Sequence, residues 1–309
     1  MKQIQKGSAL IVILIVIAIL AVAGFLLLKN KNANLLSHPN LPAQSNTADQ
    51  SIKSDSDLTN AQKDLDNTDV DGAIDPELNQ NDTEVKSFAP RIRLKNGTST
   101  NWSGYAAQTS LSSPQNNAIS DVKGSWVVPA VTCTSTNTYS SAWVGIDGYS
   151  DNSVEQTGTE HDCIGGKPVY SAWYEIYPKP SFRVNLPVKA GDNISAEVKY
   201  VANNQFRLTL TNTTTGQTFI TNQKAKAQRQ SAEWIMEAPW SGGVLPLSNF
   251  GTISFSNANA TINGHTGSIN DSTWQNDKIT MTNESGTPKA TPSDLSNGGS
   301  SFNVAWNSN

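Results

Sequence analysis

Charge is scarce in this chain of 309 residues: 16% of them are Asp, Glu, Lys or Arg, against roughly 25% in an ordinary soluble domain. Asn, Ser, Thr and Gly fill the gap. Lys and Arg total 22 against 26 Asp and Glu, a formal charge of -4, so the basic excess that nucleic-acid binding needs is missing. Histidine is scarcer still, with residues only at 38, 161 and 265. The sequence has no H-E-x-x-H run, no paired Cys-x-x-Cys units and no G-x-S-x-G elbow. The usual zinc and serine-hydrolase arrangements are therefore excluded, and neither a metal nor a cofactor is expected. The D-[TS]-G signature of aspartic enzymes is also absent, although Gln156-Thr157-Gly158 has a similar strand-to-turn context with an amide in place of the acid. His161, beside Asp162 in a polar stretch, reads as a solvated surface residue. The two cysteines, Cys133 and Cys163, lie 30 residues apart and fit a disulfide better than a nucleophile. Closing that loop would contribute a few kcal/mol.

Aromatic residues are missing from Lys29 to Ser87, whereas 21 of the 23 lie between Trp102 and Trp306, including all eight Trp. A stretch without them cannot bury enough apolar surface to offset its ordering entropy. Three parts follow: residues 1–30, a membrane anchor or signal peptide; residues 31–95, a disordered acidic spacer or propeptide; and residues 96–309, a folded domain. Residues 1–90 carry 7 basic and 11 acidic groups, leaving 15 of each from Arg91 onward. The net charge thus belongs to the first 90 residues.

The run from Ser8 to Leu28 is uncharged and, as a helix rising about 1.5 Å per residue, is long enough to span a bilayer core of about 30 Å. Ala21-Val22-Ala23 offers a signal-peptide cleavage site, but Gly24 to Leu28 continue the apolar run beyond it, which favours an uncleaved transmembrane helix. Lys6-Gly7 before the run also resembles a type IV prepilin leader, with Val12 where an acid belongs. The domain is expected outside the cytoplasm, anchored to the membrane, or secreted if cleaved after Ala23. An oxidising compartment suits the cysteine pair. In the spacer, Asp49, Asp55, Asp57, Asp64, Asp66, Asp69, Asp71 and Asp75 recur without helical period, consistent with an extended stalk or a propeptide.

From Asn101 the pattern has period two. Ile194, Ala196, Val198 and Tyr200 alternate with polar residues, as do Phe206, Leu208 and Leu210, before the turn at 212–216. Further strand candidates are Ser125–Val128, Ser140–Ile146, Val169–Ile176, Gly251–Ser256, Lys278–Thr282 and Phe302–Trp306. No amphipathic helix of three turns is evident. Many short strands with turn signals predict an all-β antiparallel sandwich or barrel.

With the familiar nucleophiles excluded, carboxylate chemistry remains. In Ser231 to Glu237, alternation puts Glu233, Ile235 and Glu237 on one strand face and Trp234 and Met236 on the other,. A Glu beside bulky apolar neighbours could have its pKa raised toward general acid/base use; read from spacing alone, it is a strand Glu facing solvent.

Several runs together resemble the glutamic peptidases, or eqolisins. They are Asn101-Trp102-Ser103-Gly104-Tyr105, Ser125-Trp126-Val127-Val128-Pro129, Trp143-Val144-Gly145-Ile146-Asp147-Gly148, Gln156-Thr157-Gly158, Ala172-Trp173-Tyr174-Glu175 and Ala232-Glu233-Trp234-Ile235-Met236-Glu237. Each is unspecific, but they occur in the family's order over residues 101–270. The resemblance implies a two-sheet antiparallel β-sandwich of concanavalin or legume-lectin type. It also implies a catalytic pair of Glu233, which activates water, and Gln156, whose amide holds that water and the oxyanion. Glu237 shares the face of Glu233 and rivals it, but the family motif places the catalytic acid before the Trp. Trp143, Asp147, Trp173 and Glu175 match positions that line or support the family's cleft; the two Trp read equally as core aromatics. Ser171 stands where an acidic residue is expected, and Glu160 replaces an Asp. The implied protein is a monomeric, pepstatin-insensitive acid endopeptidase acting on polypeptides without a covalent intermediate. The alternative from another class is a non-catalytic carbohydrate-binding or adhesive module on the same fold, since sugar binding needs neither Gln156 nor Glu233.

Overall fold

A computed structural model describes residues 86–93 and 97–309. The membrane segment, most of the spacer and their charges lie outside the described residues, among which no helix is long and apolar enough to cross a membrane. The described part is built of strands: β1 (Thr98–Ser99), β2 (Trp102–Gln108), β3 (Ile119–Val127), β4 (Ser141–Ile146), β5 (Val154–Ile164), β6 (Lys167–Tyr177), β7 (Phe182–Val184) and β8 (Asn193–Ala202). After these come β9 (Gln205–Asn212), β10 (Gln217–Lys224), β11 (Ser231–Glu237), β12 (Thr252–Ile262), β13 (His265–Ser268), β14 (Gln275–Thr282), β15 (Pro288–Pro292) and β16 (Phe302–Trp306). The only helix in this set is a single 3-10 turn at Asn297–Gly299.

Fourteen strands form one hydrogen-bonded path, β10-β9-β8-β3-β12-β16-β15-β14-β2-β11-β4-β5-β6-β7, with β1 on β14 and β13 on β12. Every pairing is antiparallel except β1 with β14. The all-β expectation holds, and β16 has the bounds its sequence pattern predicts. Asn203 and Asn204, both at positive φ, turn β8 into β9, as a two-residue hairpin requires. From there Ile194, Ala196 and Val198 face inward beside Phe206, Leu208 and Leu210.

The path folds back on itself. Trp234 Nε1 of β11 donates to the Lys123 carbonyl of β3 at 2.6 Å, and Trp126 Nε1 of β3 donates to Thr159 Oγ1 of β5 at 2.9 Å. Gly124 of β3 lies so close to β11 and β4 that a Cβ there would meet Trp234 Cδ1 and Val144 Cγ1 at 2.9 Å. The main core fills this space. It includes Val122, Trp126, Ala142, Val144, Ile146, Ala232, Trp234 and Met236.

The opposite face of the same strands carries a second, smaller apolar cluster: Phe88, Trp102, Ala106, Trp143, Val154, Trp173, Ile235 and Ile279. Strands β4 and β11 are therefore buried on both faces, even-numbered residues joining the main core and odd-numbered ones the second face. The disulfide Cys133–Cys163, with sulfurs 2.01 Å apart, ties the segment before β4 to the end of β5.

Two expectations fail on β5. Gln156-Thr157-Gly158 is mid-strand, not at a strand-to-turn junction, and His161 lies in the same strand, fully buried. His161 shares the inward face with Thr157 and Thr159, and its Nε2 is 2.8 Å from Thr159 Oγ1. Burial lowers its pKa to about 3, so it is a neutral interior residue.

Candidate active site

Strand register assembles the site. Glu233 of β11 pairs with Gly145 of β4, Gly145 with Gln156 of β5, and Gln156 with Glu175 of β6. Directly paired residues share a face, so Glu233, Gln156 and Glu175 stand in one row across four strands. Two strand spacings, about 10 Å, separate the backbones of Glu233 and Gln156. Between them the floor is Gly145, where a Cβ would meet Trp143 Cζ3 at 2.9 Å and Gln156 Cβ at 3.2 Å. The neighbouring row is Ile235, Trp143, Gly158 and Trp173. Both Trp thus belong to the site face and not to the main core. The row beyond holds Trp102, Glu237, Ser141, Glu160 and Ser171.

The acidic groups are buried but differently served. Glu237 accepts hydrogen bonds from Trp143 Nε1 at 2.8 Å and Asn101 Nδ2 at 3.3 Å. Glu175 Oε2 accepts from Gln156 Nε2 at 2.8 Å. Neither oxygen of Glu233 makes a hydrogen bond of good geometry. Burial raises the pKa of Glu233 well above the usual carboxyl range, with the nearby Ser231 hydroxyl opposing that rise. Burial also dominates at Glu175 and Glu237, raising both. The solvent-facing reading of Glu233 is thereby overturned: it is fully buried.

Asp147 follows the last residue of β4 and its charge acts on Glu233. It leaves β4 at φ 72, and its two oxygens accept from the backbone N–H groups of Arg229 and Gln230, each at 2.6 Å. Those residues lead into β11, so Asp147 fixes the approach to Glu233. Burial and the Asp151 charge raise its pKa to about 7.

At the far end of the row arrangement, Glu160 accepts from Arg183 Nη2 at 3.1 Å and from the Ser171 hydroxyl. Lys86 Nζ lies 2.8 Å from Glu160 and 2.5 Å from Asp162. Although burial pushes Glu160 upward, Lys86 and Arg183 outweigh it and hold the pKa at about 2. Burial and the Glu160 charge raise Asp162 to about 7.

The sequence reading missed Asn101, Lys86 and Phe88 as site residues. Asn101 opens a run that it matched. Phe88 is the one aromatic between Lys29 and Asn101, but its stretch reads as spacer. In the structure residues 86–93 lie on the site face, with Phe88 stacked on Trp173 at a ring separation of 3.7 Å. The Phe88 carbonyl accepts from Gln156 Nε2 at 2.6 Å, and its N–H donates to Glu175 Oε2 at 3.0 Å. No group of three or more His, Cys, Asp or Glu among the described residues is placed to hold a metal ion. Chemically, the arrangement offers a proton-holding carboxyl and a neutral amide donor facing a peptide carbonyl.

Comparison with known proteins shows which family the chain belongs to. The sequence model of the Peptidase A4 family matches residues 100–306. Aspergillopepsin-2 of Aspergillus niger is 36% identical over 140 residues, 43% of this chain and 50% of that protein; the chain thus spans about half the length of this curated relative. The crystal structure of scytalido-glutamic peptidase with a transition state analog inhibitor superposes with a TM-score of 0.56 and 25% identity, covering 67% of this chain and 98% of that one. The structure of SCP-B, described as a member of the eqolisin family in complex with the tripeptide Ala-Ile-His, gives a TM-score of 0.52 at 22% identity. It covers 67% of this chain and 98% of its own.

Proposed function

Because the chain belongs to the Peptidase A4 family, we propose that it is an acid endopeptidase that hydrolyses polypeptides with Glu233 and Gln156. One observation carries this reading: a peptide carbonyl, that of Phe88, accepts the Gln156 amide at 2.6 Å in the row where the Glu233 carboxyl has no hydrogen bond of good geometry. In the reaction the ionised form of Glu233, which burial disfavours, takes a proton from water as the water attacks the scissile carbonyl. The Gln156 N–H stabilises the oxyanion, which an amide can do at any pH because it does not ionise. Glu233 then returns the proton to the leaving amine, and no covalent intermediate forms. Glu175 orients Gln156: one amide hydrogen goes to the Glu175 carboxyl and the other to the substrate carbonyl. Trp173 and Trp143 supply the apolar floor, and Asp147 holds the start of β11.

We read the folded-back strand path as a two-sheet, legume-lectin-like sandwich, a reading supported by the contacts of β3 across β4, β5 and β11. The domain is placed outside the cytoplasm as a monomer, anchored by the apolar segment at 8–28 or secreted after its removal. The uncharged run and the disulfide support this placement.

The test is cleavage of a denatured protein by the full chain between about pH 2 and 7, with and without pepstatin. Activity confined to the acid side, indifferent to pepstatin and lost in Glu233→Gln, is the expected result. A well-folded chain that cleaves nothing at any pH would instead favour a binding module.

A further inference from the structure

The site row continues past Glu233 on the side away from Gln156. Glu233 of β11 pairs with Ala106 of β2, and Ala106 with Asp277 of β14, so Glu233 stands between Asp277 and Gln156 in one row. Ile279, two residues further along β14, belongs to the apolar cluster of the same face. Asp277 is half of a corner whose other half is Tyr149. The Tyr149 hydroxyl donates to Asp277 Oδ2 at 2.7 Å, which fixes phenol and carboxyl against each other. Gly148 sets the position of Tyr149: it lies at φ 100, its N–H donates to Asp151 Oδ1 at 3.1 Å, and a Cβ there would meet Val154 Cγ2 at 2.5 Å.

An aromatic face beside a carboxylate is a setting that attracts a guanidinium. The chain's own Arg91 shows the fit. Its guanidinium lies over the Tyr149 ring, 4.5 Å from the centroid, with Nη1 3.5 Å from Asp277 Oδ2 and Nη2 donating to the Thr98 carbonyl at 3.0 Å. The main chain is held as well, the Arg91 N–H donating to the Gly148 carbonyl at 3.0 Å. Asp277 keeps 18% of its side chain exposed, so the corner opens to solvent. Arg91 comes three residues after Phe88, whose carbonyl accepts from Gln156. Span and reach agree: four strand spacings, roughly 19 Å, separate the backbones of Gln156 and Asp277. Three extended residues cover roughly 10 Å of that, and the long side chains at either end cover the rest.

We propose that Tyr149 and Asp277 form a specificity subsite, which takes an arginine or lysine side chain of the polypeptide substrate three residues beyond the residue whose carbonyl is cut. The inference rests on the peptidase reading above, in which Gln156 engages the scissile carbonyl. Arginine is favoured over lysine, because its planar guanidinium stacks on the phenol while it reaches the carboxylate. Proline is refused at the same substrate position, because it has no N–H to give the Gly148 carbonyl. Arg91 fills the corner in the intact chain, so a substrate side chain enters where that arginine gives way.

The experiment uses the full chain at the pH where it best cleaves a denatured protein. Two peptides with a single cleaved bond are compared, identical except for arginine or citrulline three residues beyond the cut carbonyl; citrulline keeps the shape and loses the charge. The ratio of kcat/KM for the two peptides is read within each form of the protein, so a general loss of activity or stability does not enter. The wild-type chain is expected to favour the arginine peptide by about tenfold or more, and Asp277→Asn to bring the ratio to within about twofold of unity. Asp277→Lys sets like charges together and reverses the preference. A second measurement needs no variant: in a wild-type digest of a denatured protein, mass spectrometry should find Arg and Lys enriched and Pro depleted at the third residue beyond the cut carbonyl. Equal cleavage of the two peptides by the wild-type chain, an arginine preference that survives in Asp277→Asn, or a digest without basic enrichment at that position overturns the inference and leaves the peptidase reading standing. If the wild-type chain cleaves neither the peptides nor the denatured protein at any pH while keeping its native near-ultraviolet dichroism, the peptidase reading itself falls, and this inference with it.

Discussion

Glu233 and Glu237 sit two residues apart on one face of β11, yet their surroundings give them different chemistry. Both oxygens of Glu237 are engaged, by Trp143 and Asn101, which pins the carboxyl and occupies its lone pairs. Those of Glu233 are not, so it has acceptor capacity for water. Glu233→Gln is therefore expected to lower kcat on a denatured protein by 10²–10⁴, roughly the contribution of a general base, without lowering the melting temperature, since an unpaired buried carboxyl is removed. Gln156→Ala loses one oxyanion donor, about 3 kcal/mol of barrier and a hundredfold or more in rate. Glu237→Gln keeps an acceptor for Trp143 and should change kcat less than tenfold. Steady-state kinetics on the three variants decides the matter; a dead Glu237→Gln beside an active Glu233→Gln would reverse the assignment. At this scale the sequence tells which residues share a strand face, because alternation depends on backbone geometry alone. What covers that face is another matter. Glu233 reads as solvent-facing because alternation does not show that both faces of its strand are buried.

Strand β5 is the element on which the site depends and the one that local pattern describes worst. Val154 to Ile164 has no apolar alternation, because its outward face carries Gln156, Gly158 and Glu160 and its inward face Thr157, Thr159 and His161. Those inward polar groups are paired: Thr157 Oγ1 donates to the Trp173 carbonyl at 2.7 Å, and Thr159 Oγ1 accepts from Trp126 Nε1. Period-two reading registers hydrophobicity and not satisfied hydrogen bonds, so β5 resembles a loop, whereas β8, β9 and β16, apolar on one side, are legible. Strand β10 escapes for a different reason: it is an edge strand with one face exposed and the other only half-buried. The close approach of β5 to β4 gives an element-level prediction. A Cβ on Gly158 would lie 2.2 Å from the Ala142 carbonyl oxygen and 2.6 Å from Trp143 Cβ, in a neighbouring backbone that cannot swing aside. Gly158→Ala is expected to destabilise the protein by about 3 kcal/mol, the upper part of the usual overpacking range. Gly243→Ala, with nothing within 4 Å of the new methyl, should stay within about 0.5 kcal/mol. Urea unfolding of the two variants compares them directly; equal midpoints would mean that β4 and β5 separate more easily than the packing implies.

Over the whole molecule, low charge and buried acids together set the pH at which it is most stable. The part from Arg91 onward carries 15 basic and 15 acidic groups, so protonating its carboxylates creates less self-repulsion than in a strongly basic protein. Within it, burial raises Glu155, Glu175, Glu233 and Glu237 well above the ordinary range. Asp147 and Asp162 rise to about 7. A raised folded-state pKa means that the folded chain binds more protons than the unfolded one. The stabilisation is complete below the unfolded pKa of about 4 and is lost as pH climbs through the folded value. His161, lowered to about 3, works the other way, losing stability as pH falls below about 6.5, its unfolded value. Glu160, lowered to about 2, costs stability only as pH drops from about 4 toward 2. These six raised acids, and Asp121, which burial lifts to about 6, outnumber one histidine between about pH 4 and 7, so the melting temperature should peak near about pH 4 and decline through neutrality. Calorimetry across about pH 3 to 8 measures this. A melting temperature that rises from pH 4 to 7 would mean that the buried acids are ionised and paired. Asp147→Asn separates the contributions: it cannot take up the proton that Asp147 binds on folding, so the decline between about pH 5 and 8 should become shallower by up to one proton's worth of slope. The acid limb, governed by Glu160 and His161, should keep its shape.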